Sequence, residues 1–310
     1  MNDLKNKLEI YDFKIKSIKY IGKVIIIDTD KGKYIYKNKN NYKIYEYLLS
    51  RGFNYFPKPI NDKNTSYEII EFINEENIPK EQKLIDLIDV VSYLHKKTSF
   101  NKEIDLDDIK KMYEKIENEV NYLMNYYSDL NNVIDNIVFM SPRDYLLVRN
   151  IDLFYYLISF VKVEITNWYN NIKESKFIRY SMIHNNLDLS HILVNNSNYL
   201  ISWDKAGIGL PYIDIKKIIE NNYYDLNIES LLNEYTKINK LNSNEYLFLL
   251  INLAIPKRIE FTSNMYLDCY KLSDYIEYLR KIVLLVQKYS ENKHKVWLLR
   301  YFVVYYVQLL

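Results

Sequence analysis

The chain has one cysteine, five glycines and six prolines among its 310 residues, and its shortages are informative. A single thiol, Cys269, excludes a disulfide within the chain and a cysteine-built metal cluster. That usage fits a reducing, intracellular compartment, so a cytoplasmic protein is expected. Charge of one sign is missing too: 42 Lys and Arg stand against 40 Asp and Glu, a formal net charge of +2. Such a balance leaves no electrostatic footprint for a nucleic acid or an anionic membrane, and neither is expected as a partner. Met1-Asn2-Asp3-Leu4-Lys5 lacks the apolar run of a signal peptide. No segment is expected to supply the roughly 20 apolar residues of a membrane helix. Tyr145–Val163 comes nearest but is interrupted by Arg149, Asn150, Asp152 and Lys162. No repeat, low-complexity tract or Gly/Ser linker divides the chain.

What is present is enough for a folded protein of some size. A hydrophobic fraction of 48% supports a large core, and 26% charged residues argues against disorder. The 33 Tyr accompany many Ile, Asn and Lys, all with AT-rich codons, so base composition accounts for them. A role for the Tyr in surface adhesion or cross-linking is the competing reading.

The periodicity changes along the chain. Tyr11–Ile18 alternates apolar and polar residues, Val24–Asp28 is β-rich, and Thr29-Asp30-Lys31-Gly32 is a turn leading into Tyr34–Lys37. Tyr42, Tyr45, Leu48 and Leu49 fall at helical spacing over 41–51. Tyr67–Ile73 is a further strand. Helices are expected over Lys83–Lys97, Asp107–Tyr127 and 151–173, with Ser141-Pro142 as a capped helix start. Strands are expected near 179–183, 192–194 and 199–203, then helices starting near Pro211, Pro256 and Ser273. The fold class is therefore α+β, with a small β-rich lobe over 1–73 and a larger, mainly helical lobe over 74–310.

One stretch concentrates the chemistry: His184-Asn185-Asn186-Leu187-Asp188-Leu189-Ser190-His191-Ile192-Leu193-Val194, then Ile201-Ser202-Trp203-Asp204 and Gly207-Ile208-Gly209-Leu210-Pro211-Tyr212-Ile213-Asp214. With the order of elements around it, this resembles the protein-kinase-like superfamily, in its aminoglycoside phosphotransferase and choline kinase branch. Within that branch the chain is similar to spore-coat kinase-like proteins of the CotS and YutH type. Their strand, "I-x-T-x-x-G" turn and lysine strand are matched by Ile27–Lys37, and their "P-[EK]-[KR]" start is echoed by Pro256-Lys257-Arg258. The resemblance spans about residues 10–290 and implies a two-lobed kinase-like fold.

The same resemblance assigns roles and exposes departures. The superfamily's loop, H-x-D-x-x-x-x-N followed by I-L-V, places the proton-accepting Asp on Asn186 and the metal-binding Asn on His191. The family's I-D-W-[DE] places its magnesium ligand on Ser202. His184 is expected to brace the loop, and Asp214 to open a helix and brace it as well. Lys37 falls where the phosphate-pairing lysine lies, with Glu46 as its expected ion-pair partner. No Gly-rich phosphate loop is visible, since Ile18–Ile27 contains only Gly22.

An amide is a poor general base, a loss typically worth roughly 10²–10⁴-fold. Magnesium prefers hard oxygen ligands, which imidazole and a hydroxyl replace poorly. The first expectation is therefore a pseudokinase with a binding or structural role, which the resemblance connects with sporulation and spore-coat partners. The alternative is an active, ATP- and magnesium-dependent small-molecule phosphotransferase whose metal site has shifted to Asp188 and Asp204. In both, a nucleotide or small molecule is expected in the inter-lobe cleft.

Overall fold

A computed structural model describes residues 11–22, 24–39, 41–225 and 227–307, with the backbone alone from 294 onward. Ile15–Ile21 (β1), Val24–Thr29 (β2), Gly32–Lys37 (β3) and Glu68–Glu71 (β4) form an antiparallel sheet in the order β1-β2-β3-β4. The β2–β3 hairpin turns on Asp30-Lys31, with Thr29 opposite Gly32. The Thr29 hydroxyl closes the turn by donating to the Gly32 carbonyl at 2.8 Å. Ile27, Tyr36, Tyr67 and Ile69 are buried together on this sheet, and the rings of Phe13 and Tyr34 stack at 4.5 Å beside them. The first strand begins at Ile15 rather than at Tyr11, because Asp12 adopts a left-handed conformation (φ 54°) that interrupts an extended chain.

Tyr42–Ser50 (α1) buries Tyr45 and Leu48. It stops at Gly52, whose φ of 71° lets the Phe53 amide turn back onto the Leu48 carbonyl. Lys80–Thr98 (α2) buries the expected stripe of Leu84, Leu87, Ile88, Val91 and Leu94. Phe100–Glu103 (β5), Phe177–Ile183 (β6) and Gly207–Gly209 (β9) form a second sheet in the order β5-β6-β9. Ile192–Val194 (β7) and Asn198–Leu200 (β8) make a small hairpin.

The backbone groups into two compact units. The first is Met1–Phe100, Tyr180–Lys217 and Lys237–Asn239; the second is Asn101–Arg179, Ile218–Thr236 and Lys240–Leu310. The N-terminal sheet and the 184–214 loop region thus belong to one unit, a grouping different from a cut at 73/74. The reason lies in contacts far apart in sequence. The Leu200 amide donates to the Tyr55 carbonyl at 2.8 Å, and the Glu76 amide donates to Val194 at 2.8 Å.

The second unit is helical: Leu106–Asp135 (α3), Pro142–Val148 (α4), Ile151–Lys173 (α5), the C-terminal part of Tyr212–Asn222 (α6), most of Ile228–Ile238 (α7), Ser243–Ala254 (α8) and Met265–Val307 (α9). Ser141 caps α4 by accepting the Asp144 amide, and Asn242 with Glu245 forms a capping box on α8. Two expectations need correction here. The second long helix runs on to Asp135, and no helix starts at Pro256 or Ser273. The chain at 255–264 is held non-helical by tyrosines: Tyr126 and Tyr127 donate to the carbonyls of Ile259 and Lys257, and the Lys257 amide donates to the Tyr275 hydroxyl. Ser273 then lies inside α9. Tyr145–Val163 is divided between α4 and α5. Among the described residues no helix is long and apolar enough to cross a membrane.

Candidate functional site

The loop between β6 and β7 is organised by one carboxylate. Asp214, in the first turn of α6, is fully buried. Its Oδ2 accepts the His184 amide at 2.7 Å and lies 3.1 Å from His95 Nε2, while its Oδ1 accepts the Asn185 amide at 2.8 Å. Asn185 is left-handed (φ 58°), a conformation Asn tolerates better than most residues. His184 is buried and donates from Nε2 to the Ile201 carbonyl at 2.8 Å, tying the loop to the strand that follows. Burial pushes its pKa down, with the Asp214 charge opposing. Trp203 packs edge-on against His184 at 4.9 Å, against Phe53 at 6.0 Å and against Phe56 at 6.3 Å.

The positions to which the sequence resemblance assigns chemistry are engaged by other groups of the chain or turned by their own backbone. His191 donates from Nδ1 to the Asn186 backbone carbonyl at 2.5 Å, so this imidazole braces the loop. The Asn186 side-chain oxygen accepts the Lys205 ammonium at 3.2 Å. Asp188 caps the turn Leu189–His191 by accepting the Ser190 amide at 2.9 Å, and that bond holds its carboxyl below the usual range. Ser202 adopts φ 68°, ψ 50°. This left-handed residue follows the strand, which ends at Leu200, and leads into the 3-10 turn Trp203–Lys205. The strand expected near 199–203 thus covers only Asn198–Leu200, and Ser202 and Asp204 lie outside it.

Asp204 meets the segment between β3 and α1. It accepts the Asn41 side-chain amide at 3.2 Å and pairs with Lys39 at 3.3 Å. Burial alone would raise this carboxyl, but those two hydrogen bonds and the charges of Lys39 and Lys37 outweigh it, so its pKa is lowered. Lys37, at the end of β3, lies opposite Glu68 in register. Glu68 is buried; it accepts the Asn41 amide and the Tyr45 hydroxyl. Burial pushes its pKa up, against the Asn41 bond and the Lys37 charge. Glu46 is exposed on α1, and the acids on which the charge of Lys37 acts are Glu68 and Asp204.

Sequence reasoning passed over Glu68, Asn41, Lys39, Lys205 and His95. Two carried a signal. Glu68 shares a strand face with Ile70, an unusual place for a lone charge. His95 continues the apolar stripe of α2, four residues after Val91. Lys39 and Lys205 are ordinary surface lysines until the fold brings 39 to 204 and 205 to 186.

A divalent cation does not fit these residues well. Among the described residues no group of three or more His, Cys, Asp or Glu could hold a metal ion. Asp204 is already engaged by Asn41 and Lys39, and Asp188 by the Ser190 amide. A phosphate is a better chemical match, because Lys37, Lys39 and Lys205 supply ammonium donors around Asp204 and Asn186.

No family model matches the sequence, and no curated protein matches it. Solved structures do match its fold. An aminoglycoside phosphotransferase from Alicyclobacillus acidocaldarius superposes with a TM-score of 0.66 at 12% identity, covering 91% of this chain and 95% of that one. The AMP-bound complex of spectinomycin phosphotransferase APH(9)-Ia does so with a TM-score of 0.51 at 14% identity, covering 91% and 98%. A choline kinase from Streptococcus pneumoniae follows at 0.47 and 12%, covering 93% and 98%. The chain therefore has the α+β kinase-like fold of the aminoglycoside phosphotransferases, a small antiparallel sheet followed by a larger helical part.

Proposed function

We propose that this chain is a pseudokinase: a kinase-like protein that has kept the scaffold, lost phosphotransfer, and acts by binding. The observation carrying this reading is the occupation of the chemical positions. Asn186 holds a lysine, His191 holds a backbone carbonyl, and Ser202 is a left-handed residue between a strand and a 3-10 turn. Around them Asp214 still holds the His184 and Asn185 amides, and His184 Nε2 still holds the Ile201 carbonyl. A nucleotide is the ligand class this site suits, in line with the AMP held by the spectinomycin phosphotransferase of the same fold. An association with the spore coat rests on the sequence resemblance and belongs to the same proposal; a fluorescent fusion expressed during sporulation tests it.

The direct test of the main reading is phosphate transfer. The full chain is incubated with magnesium and γ-labelled ATP, and with aminoglycosides or choline as acceptors. Neither labelled product nor ADP above a no-protein control is expected. Sustained turnover would favour the second reading, an active phosphotransferase using Asp188 and Asp204. One observation speaks for that alternative: both carboxyls are held below their ordinary pKa and are ionised at neutral pH.

A further inference from the structure

We propose that Lys37, Lys39 and Lys205 form a metal-independent site for the phosphate groups of a nucleoside polyphosphate, with lysine ammonium groups where relatives of this fold would use a divalent cation. This inference rests on the nucleotide-binding reading above and goes beyond it by naming what replaces the metal.

The three lysines come from two places in the chain. Lys37 ends β3 and Lys39 follows it, while Lys205 closes the 3-10 turn after Ser202. The fold joins Lys39 and Lys205 through Asp204 and Asn186, and sets Lys37 opposite Glu68 on β4. Lys39 Nζ is 3.3 Å from Asp204 Oδ1 and 3.2 Å from the Asp204 carbonyl. Lys205, next in sequence, donates to Asn186 Oδ1 at 3.2 Å. The charge of Lys37 acts on both Asp204 and Glu68.

The state of these lysines suits an incoming anion. Lys205 rests on a neutral amide, so moving to a phosphate oxygen breaks no ion pair. Lys39 is 56% exposed and its partner Asp204 is 47% exposed, so their pairing is solvent-screened and readily exchanged. Asp204 keeps its Asn41 hydrogen bond when Lys39 leaves. Three ammonium groups then face the polyphosphate against two carboxyls, Asp204 and the buried Glu68. A hard cation would need carboxylate or amide oxygens here. It would instead meet two lysines already bound to those oxygens, and Coulomb repulsion between Lys205, Lys39 and a divalent ion opposes its entry. Asp188 adds a negative charge to the loop, one that the Ser190 amide holds and the charge of Lys83 partly offsets.

The test uses the full chain and two conditions. Thermal melting and calorimetry are run with ATP in EDTA and with ATP in excess magnesium, with adenosine and inorganic triphosphate as separate probes. ATP and triphosphate are expected to bind in EDTA at least as tightly as in magnesium, and adenosine far more weakly. Lys39→Gln and Lys205→Gln are each expected to weaken ATP binding about tenfold, as loss of one charge-assisted hydrogen bond predicts. Lys205→Arg is expected to retain most of it. Binding should also weaken as salt is raised. ATP binding only with magnesium, no ATP binding in either condition, or binding in EDTA unchanged by both glutamine substitutions would each overturn the proposal. The EDTA comparison on the unaltered chain decides this even if a variant folds poorly. ADP production in the magnesium arm would overturn the loss of phosphotransfer instead, so the two failures are separable.

Discussion

Replacing Asp214 by Asn should destabilise the protein far more than a change of one atom suggests. The carboxylate serves three donors from two oxygens: Oδ2 takes the His184 amide and faces His95 Nε2, and Oδ1 takes the Asn185 amide. It is fully buried, so water cannot substitute. An amide offers one acceptor oxygen. Its best orientation keeps the oxygen at the Oδ2 position and turns its NH2 toward the Asn185 N–H. That leaves the part-buried Asn185 donor unpaired, at a cost of about 1–3 kcal/mol, and removes charge assistance from the other two bonds. The sum is about 2–5 kcal/mol. Urea denaturation reads it as a lower midpoint at unchanged slope. Hydrogen exchange at the His184 and Asn185 amides should show early loss of protection. His95→Leu combined with Asp214→Asn should be less harmful than the sum of the two, because the double variant has no buried imidazole facing an amide. A loss below about 1 kcal/mol with exchange unchanged would refute the account of Asp214 as the loop's organiser.

Other expectations are independent of that carboxylate. Trp203→Ala removes a buried ring packed on Phe53, Phe56 and His184 and should cost about 3–5 kcal/mol in urea melts, against much less for an exposed aromatic such as Tyr266. Tyr127→Phe removes the bond to the Lys257 carbonyl and should cost about 0.5–1.5 kcal/mol, with faster proteolysis between residues 255 and 264. His184 should contribute a pH dependence. Its folded pKa lies below the unfolded value of about 6.5, so the unfolded chain takes up the proton first. Stability is then intact above about pH 6.5 and declines as pH falls below it, and the decline should be shallower in His184→Gln; equal slopes would count against a buried neutral imidazole.

Much of the fold was legible because it rests on period. The β2–β3 hairpin, the apolar stripe of α2 and the capped start of α4 each follow from residues close together in sequence. The hairpin after the loop was legible too, through Ile192-Leu193-Val194. What sequence could not convey was set by distant partners. Glu46 is on the helix after Lys37, yet the lysine's charge meets Glu68, about thirty residues further on and its neighbour across two strands. Pro256 looks like a helix start, but tyrosines from α3 and α9 hold that segment extended. Ser202 gives no local warning of its left-handed backbone, because Ser, unlike Gly or Asn, is rarely chosen for that region. That one residue takes Asp204 off the strand and turns it toward Asn41 and Lys39.

If only the ligands are missing, restoring them should restore a metal response. In Asn186→Asp, His191→Asn, Ser202→Asp the bracing contacts of Asp214, His184 and Trp203 are untouched, so the loop should keep its course. The new carboxylates would stand near Asp204 and Asp188, and without a cation their mutual repulsion should lower stability. The carboxylate at 186 is partly neutralised by Lys205 and the one at 202 is not, so the net loss is about 1 kcal/mol, in the range of like-charge contacts near a surface. The loss of the His191 bond to the Asn186 carbonyl adds a similar amount. Magnesium should then raise the melting temperature of the variant and leave the parent chain unmoved. With ATP present, slow hydrolysis should appear in the variant alone. A variant that folds but shows no magnesium response would mean that the left-handed turn at Ser202 aims position 202 away from 186, and that the scaffold itself has left the geometry of a metal site.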